Sequence, residues 1–477
     1  MKLGDLFEGQ NVSADVEITG MTADSRAVEP GFLFAALKGV AADGRTFIPQ
    51  AIEKGAVAIL ADGPVADVTV PVIEAEEPRG ALAMASARFY SGQPGNIVGV
   101  TGTNGKSSTV DFLRQIWADM GLEAASLGTL GLVGPQGSVD LGHTTPDPVA
   151  IHRNLDSIAQ GGVTHLGMEA SSHGIVQRRM DGVNFAAVAF TNLTQDHLDY
   201  HADFDEYRAA KLELFTRLAK PGAIAVVNAD SPETPVFEGA ARDAGLKLLS
   251  VGWRGVDLKI RELSPRATGQ MLDVIYQDAA HEIALPLIGE FQALNALTAA
   301  GIAIGLGADA ESVFRAIEKL VTVKGRLELV GEKAGGGTVF VDYAHTPDGL
   351  DVLLRAARPH TAGKLIVIFG CGGDRDPYKR PMMGKIAAQV ADEVIVTDDN
   401  PRSEDPADIR AAILEACPDA SEIGDRAEAI REGVSRLSAG DTLLIAGKGH
   451  ETGQIIAGIT HPFSDQETAS KYLEGTV

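Results

Sequence analysis

Residues 101–108 read Thr101-Gly102-Thr103-Asn104-Gly105-Lys106-Ser107-Ser108, a set whose types and spacing suit the holding of nucleotide phosphates. Gly102 and Gly105 let backbone N–H groups turn toward an anion, Lys106 supplies positive charge, and Ser107 offers a hydroxyl to Mg²⁺. The ligand expected here is ATP or a close relative. The general phosphate loop carries a glycine where Val100 stands, so this is a narrower form of it. Glu169 and His197 are candidate metal ligands, each just past an apolar run. Mg²⁺ takes few protein ligands beside substrate phosphate, so Ser107 with Glu169 suffices for one ion and His197 fits a second. Taken alone, His197 also fits a hydrogen-bonded structural histidine. No Cys/His set has the spacing of a zinc site. Neither Cys371 nor Cys417 stands in a Cys–His nucleophile setting, which disfavours covalent catalysis.

These residues need strands that end together. Asn96-Ile97-Val98-Gly99-Val100 runs into the loop, and a helical pattern follows through Val110, Phe112, Leu113, Ile116 and Trp117. The device recurs at His165–Met168 before Glu169, at Ala187–Phe190 before Thr191-Asn192-Leu193, and at Ile224–Val227 before Asn228. In an open parallel sheet, ligands bind outside the carboxyl ends of the strands. Residues 250–288 alternate as an antiparallel excursion does, and a helix is expected from about Gln292 to Gly305. From about residue 330 the pattern starts again. Val339-Phe340-Val341 leads to Asp342-Tyr343-Ala344-His345, and Leu365–Phe369 to Gly370-Cys371-Gly372-Gly373-Asp374-Arg375. Val394–Val396 leads to Asp398-Asp399-Asn400-Pro401-Arg402, and Leu443–Ile445 to Ala446-Gly447-Lys448-Gly449-His450-Glu451. Four polar, glycine-rich exits imply a second α/β domain with its own ligand edge.

The first ninety residues form a further strand-and-helix unit, closed by a linker at Ser91-Gly92-Gln93-Pro94-Gly95. A chain of 477 residues exceeds one core and fits about three domains. The fold expected is α/β: a small N-terminal α/β domain over 1–93, a central mostly parallel sheet of phosphate-loop type over 94–328, and a Rossmann-like domain over 329–477. Lys and Arg number 41 against 65 Asp and Glu, a net −24, which excludes wholesale nucleic-acid backbone binding. Two cysteines fit a reducing compartment. Neither a secretory leader nor an apolar window of about 18 residues is found, so a cytoplasmic protein without membrane insertion is expected.

Five motifs occur in order: Thr101–Ser108, Glu169-Ala170-Ser171-Ser172-His173-Gly174, Thr191–Tyr200, Asp342-Tyr343-Ala344-His345-Thr346-Pro347-Asp348 and Cys371-Gly372-Gly373-Asp374-Arg375-Asp376. Together, and over essentially the whole chain, they resemble the Mur ligase family. The resemblance is to the branch that adds meso-2,6-diaminopimelate to the D-glutamate side-chain carboxylate of UDP-N-acetylmuramoyl-L-alanyl-D-glutamate in peptidoglycan precursor synthesis. It implies ATP-dependent amide formation through an acyl phosphate, with ATP and Mg²⁺, a monomer, and domain closure that keeps water from the acyl phosphate. The three domains would bind the uridine nucleotide, ATP and the amino acid in turn.

The resemblance also implies roles for single residues. Lys106, His197 and Lys211 form the catalytic set, and Lys211 would carry an N-carboxyl group that helps organise Mg²⁺ with Ser107, Glu169 and His197. Read without it, Lys211 is a surface lysine on a helix. Thr101–Ser108, Asn295 and Arg326 would surround ATP, while Asp342, Tyr343 and His345 would line the cleft. Ser25 would meet the uridine nucleotide, and Thr144, Thr145, Ser171, Gln177 and Arg179 the muramoyl peptide. Asp399, Asn400, Pro401 and Arg402, with Arg375, Gly447 and Glu451, would hold the amino acid, Arg402 at its distal carboxylate. Two positions depart from the family: Phe291-Gln292 replaces Phe-Asn, and Lys324-Gly325-Arg326 replaces Pro-Gly-Arg. The alternatives are L-lysine as acceptor, a folylpolyglutamate synthase-like ligase, and a non-catalytic ATP-binding module.

Overall fold

A computed structural model describes residues 1–7, 15–39, 42–142, 144–194 and 203–475. The chain divides into two compact units, Met1–Leu258 with Leu297–Val313 and Lys259–Ala296 with Phe314–Val477.

In the first unit the apolar runs become two sheets. Gly20–Thr22, Phe32–Ala35, Ala58–Ala61 and Val72–Glu74 lie parallel in that order, and helix Pro78–Phe89 follows them. Six longer strands lie parallel in the order Lys247–Gly252, Ile224–Asn228, Phe185–Phe190, Asn96–Thr101, His165–Glu169 and Ala124–Gly128. Short antiparallel strands Gly131–Gly134 and Gly137–Val139 extend the last edge. The central strands are buried almost throughout, which is why they read as unbroken apolar runs rather than alternating ones. From Asn96–Thr101 the chain passes to Ala124–Gly128, two places to one side, and returns through His165–Glu169. It then crosses to Phe185–Phe190 on the other side. Such a reversal opens a crevice at the carboxyl end of the first strand. The Thr101–Ser108 loop lies there, and helix Lys106–Asp119 buries Val110, Phe112, Leu113, Ile116 and Trp117 as their spacing predicts.

In the second unit, Gly337–Asp342, Thr442–Ala446, Leu365–Phe369, Glu393–Val396 and Ser421–Glu422 lie parallel in that order, with Glu328–Lys333 antiparallel at one edge. Apolar clusters cover both faces of this sheet. Thr442–Ala446, late in the chain, inserts between two early strands, so the exits after Asp342, Phe369, Val396 and Ala446 gather at one edge. The antiparallel excursion consists of Leu258–Arg266, Gly269–Tyr276 and Ala279–Leu285. It begins later than the sequence implied, since Lys247–Gly252 is a parallel strand. The expected helix spans Glu290–Gly305.

Candidate active site

The phosphate loop is held by its neighbours before any ligand arrives. Gly102 has φ 148°, and a Cβ on it would lie 1.9 Å from Thr191 Oγ1. Gly105, at φ 84°, caps helix Lys106–Asp119 in the left-handed region that favours glycine. The Asn192 amide brackets Asn104, accepting its N–H at 3.0 Å and donating to its carbonyl at 3.1 Å, while Thr191 Oγ1 donates to the same carbonyl at 2.6 Å. Thr103 Oγ1 meets Tyr207 Oη at 3.2 Å and accepts the Thr194 N–H at 3.0 Å. The result is a fixed frame of backbone donors at a helix N-terminus, suited to an anion.

Two lysines converge on this loop. Lys106 Nζ donates to the carbonyls of Gly102 at 2.9 Å and Thr103 at 2.7 Å. Lys211 Nζ donates to the Gly102 carbonyl at 2.9 Å and lies 4.4 Å from the Tyr207 ring centroid. Lys211 is 1% exposed, the opposite of the surface lysine its helix position alone implies. Nothing local in the sequence announces this burial; it follows from packing the Phe204–Glu213 helix beside the loop.

Glu169 closes the neighbouring strand, in register with Val100, and is 1% exposed. Its Oε1 accepts the Thr129 N–H at 2.7 Å and its Oε2 the Thr129 hydroxyl at 3.3 Å. The carboxylate crosses so close over Gly128 that a Cβ there would lie 2.1 Å from Oε1. Thr129 and Gly128 carry no local sequence signal, because they sit at the end of the strand beyond and in the turn that follows it. Beside the Glu169 strand end the structure gathers the residues expected to meet the muramoyl peptide, the Thr145 hydroxyl donating to the Glu169 backbone carbonyl at 3.2 Å. Thr144 Oγ1 lies 3.1 Å from Thr129 Oγ1, and Thr145 Oγ1 lies 2.9 Å from Ser171 Oγ. Arg179 donates to the Thr145 carbonyl and, at 2.7 Å, to Gln177 Oε1. Ser25 opens a short 3-10 helix, Ser25–Ala27, between the first two strands of the N-terminal sheet, and its buried hydroxyl donates to Gln50 Oε1 at 3.0 Å. His197 lies outside the described residues. Among the described residues no three His, Cys, Asp or Glu stand together as a metal site. A buried carboxylate beside a phosphate loop, with Ser107 at the helix start, still matches Mg²⁺, which needs few protein oxygens.

In the second unit, Asn295 donates to Gln292 Oε1 at 3.3 Å, so the glutamine that departs from the family pattern is a buried partner of the expected ATP contact. The Arg326 guanidinium lies 5.0 Å from the Tyr343 ring centroid. Asp342 accepts the N–H groups of Leu327 and Ala344, both at 2.7 Å, and His345 Nδ1 lies 2.9 Å from the Tyr343 carbonyl. Burial pushes the Asp342 carboxyl above its ordinary value, outweighing Arg326 and those backbone donors.

The expected amino-acid residues stand together at the strand exits. Asn400 Nδ2 donates to Glu451 Oε2 at 2.9 Å. Arg402, at φ 53°, pairs through its backbone with Ile455 and Ala457. Among the described residues, only the Gly373 carbonyl accepts from its guanidinium, at 2.7 Å. A group with five N–H donors is left able to take a carboxylate. Gly447, at φ 118°, packs its backbone close to Asp399, where a Cβ would stand 3.7 Å from the carboxyl carbon, and Arg375 is exposed on its loop. Lys448, to which the sequence motifs assign no role, is fully buried with Nζ 3.1 Å from Glu451 Oε2. Its one local signal is its place between two glycines at a strand exit. Burial pushes the Cys371 thiol up to about 12, so it is no thiolate nucleophile.

Family profiles match in three places: the Mur ligase family catalytic domain at residues 17–90, the Mur ligase middle domain at 100–303, and the Mur ligase glutamate ligase domain at 325–449. The chain is 52% identical over 480 residues to a UDP-N-acetylmuramoyl-L-alanyl-D-glutamate–2,6-diaminopimelate ligase of Chelativorans sp., covering 99% of each chain. A protein of the same name from Caulobacter vibrioides is 53% identical over 481 residues, again covering 99% of each. A solved structure of that name superposes with TM-score 0.80 at 30% identity, covering 100% of this chain and 99% of the other.

Proposed function

The chain belongs to the Mur ligase family of amide-forming ligases, and from that premise we propose that it joins meso-2,6-diaminopimelate to the D-glutamate side-chain carboxylate of UDP-N-acetylmuramoyl-L-alanyl-D-glutamate, with cleavage of ATP to ADP and phosphate. The work is that of a cytoplasmic enzyme supplying peptidoglycan precursor. Its N-terminal (1–93), central (94–328) and C-terminal (329–477) parts would take the uridine nucleotide, ATP and the amino acid. No helix among the described residues is long and apolar enough to cross a membrane.

The observation that carries the reading is the convergence of the Thr101–Ser108 frame, Lys106, Lys211 and buried Glu169 on adjacent strand ends, with Thr145 bonded to the Glu169 backbone carbonyl and Ser171 and Arg179 bonded to Thr145. Phosphoryl transfer depends mainly on positioning and on stabilising charge. Lys106 can swing from its own loop carbonyls to the phosphates, while the backbone donors stay fixed by Asn192 and Thr191. Mg²⁺, held by Ser107, Glu169, His197 and an N-carboxylated Lys211, would neutralise phosphate charge. The γ-phosphate passes to the glutamate carboxylate, the amine attacks the resulting acyl phosphate, and phosphate leaves. In the amino-acid pocket, Arg402 answers the distal carboxylate and Glu451 an ammonium.

The test is ADP release with mass analysis of the product, for meso-diaminopimelate, L-lysine and L-glutamate as acceptors. ADP and the diaminopimelate adduct should form together, and only when all three substrates are present. Efficiency with L-lysine equal to that with meso-diaminopimelate would overturn the acceptor, and ADP release without adduct would overturn the reaction.

A further inference from the structure

Lys448 is a lysine with no exposure at all, yet nothing in the reaction outlined above uses it. Its Nζ lies 3.1 Å from Asn400 Oδ1, 3.1 Å from Glu451 Oε2 and 3.7 Å from Asp399 Oδ1. Three ammonium protons thus face three oxygens. Asp399 Oδ1 is itself buried and has no hydrogen-bond partner among the described residues, so its charge is answered through space by the Lys448 ammonium, with the Arg426 guanidinium adding to it. The Asn400 amide is locked by the same contact, its Oδ1 accepting from Lys448 and from the Ile455 N–H at 2.9 Å, its Nδ2 donating to Glu451 Oε2.

Asn400 and Lys448 follow strands Glu393–Val396 and Thr442–Ala446, which are not neighbours, since Leu365–Phe369 runs between them. The exit of that middle strand is glycine-rich for a steric reason. A Cβ on Gly370 would lie 2.2 Å from the Thr397 carbonyl oxygen, and one on Gly373 2.0 Å from that of Pro401. Without side chains there, the loop after Glu393–Val396 folds across the gap and reaches Lys448.

We propose that Lys448 is the positioning residue of the amino-acid pocket. It draws Asp399, Asn400 and Glu451 from two separate strand exits onto one point and keeps Glu451 ionised to receive the ammonium of the incoming amino acid. The proposal rests on the acceptor reading above. The charges suit it: two carboxylates against one ammonium leave one negative charge for the ligand, and nearby Arg426 is already matched by Asp465 at 2.7 Å. The groups facing Glu451 are the Asn400 amide, Lys448, the Asp399 carboxylate across that ammonium, His450, Arg426 and Tyr343. Against the opposing effect of burial, the Asn400 amide and Lys448 hold the Glu451 carboxyl below its ordinary range.

Lys448→Met keeps the stem and removes the charge, while Lys448→Gln keeps a donor without charge. Steady-state kinetics should show the KM for meso-diaminopimelate rising about ten- to a hundredfold in the Met variant, the scale of a lost charge-assisted hydrogen bond. The KM values for ATP and the UDP-linked dipeptide should stay within about twofold, and the acid limb of kcat/KM for the amino acid should move to higher pH. Lys448→Gln should recover part of the KM yet retain the moved acid limb. Nucleotide binding reports folding, and if the Met variant does not fold, the Gln variant is read by the same criteria. An unchanged amino-acid KM, an equal loss toward all three substrates, or an unmoved acid limb would overturn the role of Lys448. Absence of adduct from the unaltered enzyme would instead defeat the acceptor reading itself.

Discussion

Alanine at Gly128 asks whether the position of Glu169 matters, without altering any chemical group. Gly128 lies outside the left-handed region, so the substitution brings no backbone penalty. Its new Cβ would stand 2.1 Å from Glu169 Oε1 and 2.5 Å from Cγ and Cδ, where ordinary contact begins at 3.4 Å. The carboxylate must retreat by roughly 1.3 Å, and a misplacement of about 1 Å costs on the order of 100-fold in rate. Moving also strains the 2.7 Å bond from the Thr129 N–H, and a hydrogen bond to a charged group is worth about 1.5–3 kcal/mol. We expect kcat/KM to fall about 100-fold and the Mg²⁺ requirement to rise, while ATP binding without Mg²⁺ is retained. Coupled ADP release across a Mg²⁺ titration measures this. Gly239→Ala is the control: the site is helical, and a Cβ there meets nothing within 4 Å. It should leave activity unchanged and add roughly 0.5–1 kcal/mol of stability. Activity of Gly128→Ala within about threefold of the unaltered enzyme would refute the placement of Glu169 as a metal-organising group.

Lys211→Ala should be nearly inactive and regain part of its activity with added short-chain carboxylic acids, because a carbamate supplies the oxygens that an ammonium lacks; full activity, or mass evidence of an unmodified lysine in active enzyme, would count against the carboxylated form. Arg402→Ala should lower kcat/KM for meso-diaminopimelate about ten- to a hundredfold and that for L-lysine little, narrowing the preference between them; an equal loss for both would remove Arg402 from the distal carboxylate. His360 is buried, with Nε2 2.9 Å from the Gly289 N and Nδ1 2.8 Å from the Arg266 carbonyl, and burial pushes its pKa below the ordinary 6.5. The unfolded chain therefore takes the proton more readily, so the stability from neutral His360 is complete above pH 6.5 and lost as pH falls below it. Melting temperature should drop between about pH 7.5 and about pH 5, and His360→Asn should shrink the drop; an unchanged drop would assign it elsewhere.

Much of the chemistry is legible in the amino-acid sequence because it is written in contiguous residues. A loop such as Thr101–Ser108 needs its glycines, lysine and serine at fixed spacing along one strand-to-helix turn, and no distant residue changes that requirement. The same holds for Asp399-Asn400-Pro401-Arg402, and the apolar runs before each exit announce parallel strands whose ends must carry the ligands. Tertiary structure alone decided what these motifs meet. Lys211 becomes a buried partner of the Gly102 carbonyl, Thr129 grips Glu169 from the next strand, and Lys448 binds two loops across a third. Each of these pairings joins residues distant in sequence or set on different strand exits. They depend on strand order, which reverses around Asn96–Thr101 and lets Thr442–Ala446 insert between earlier strands, and hydropathy along a chain is the same for any order of buried strands. Burial of a lysine or a glutamate is likewise a property of what packs over it, and no pattern within its own helix or strand encodes the cover.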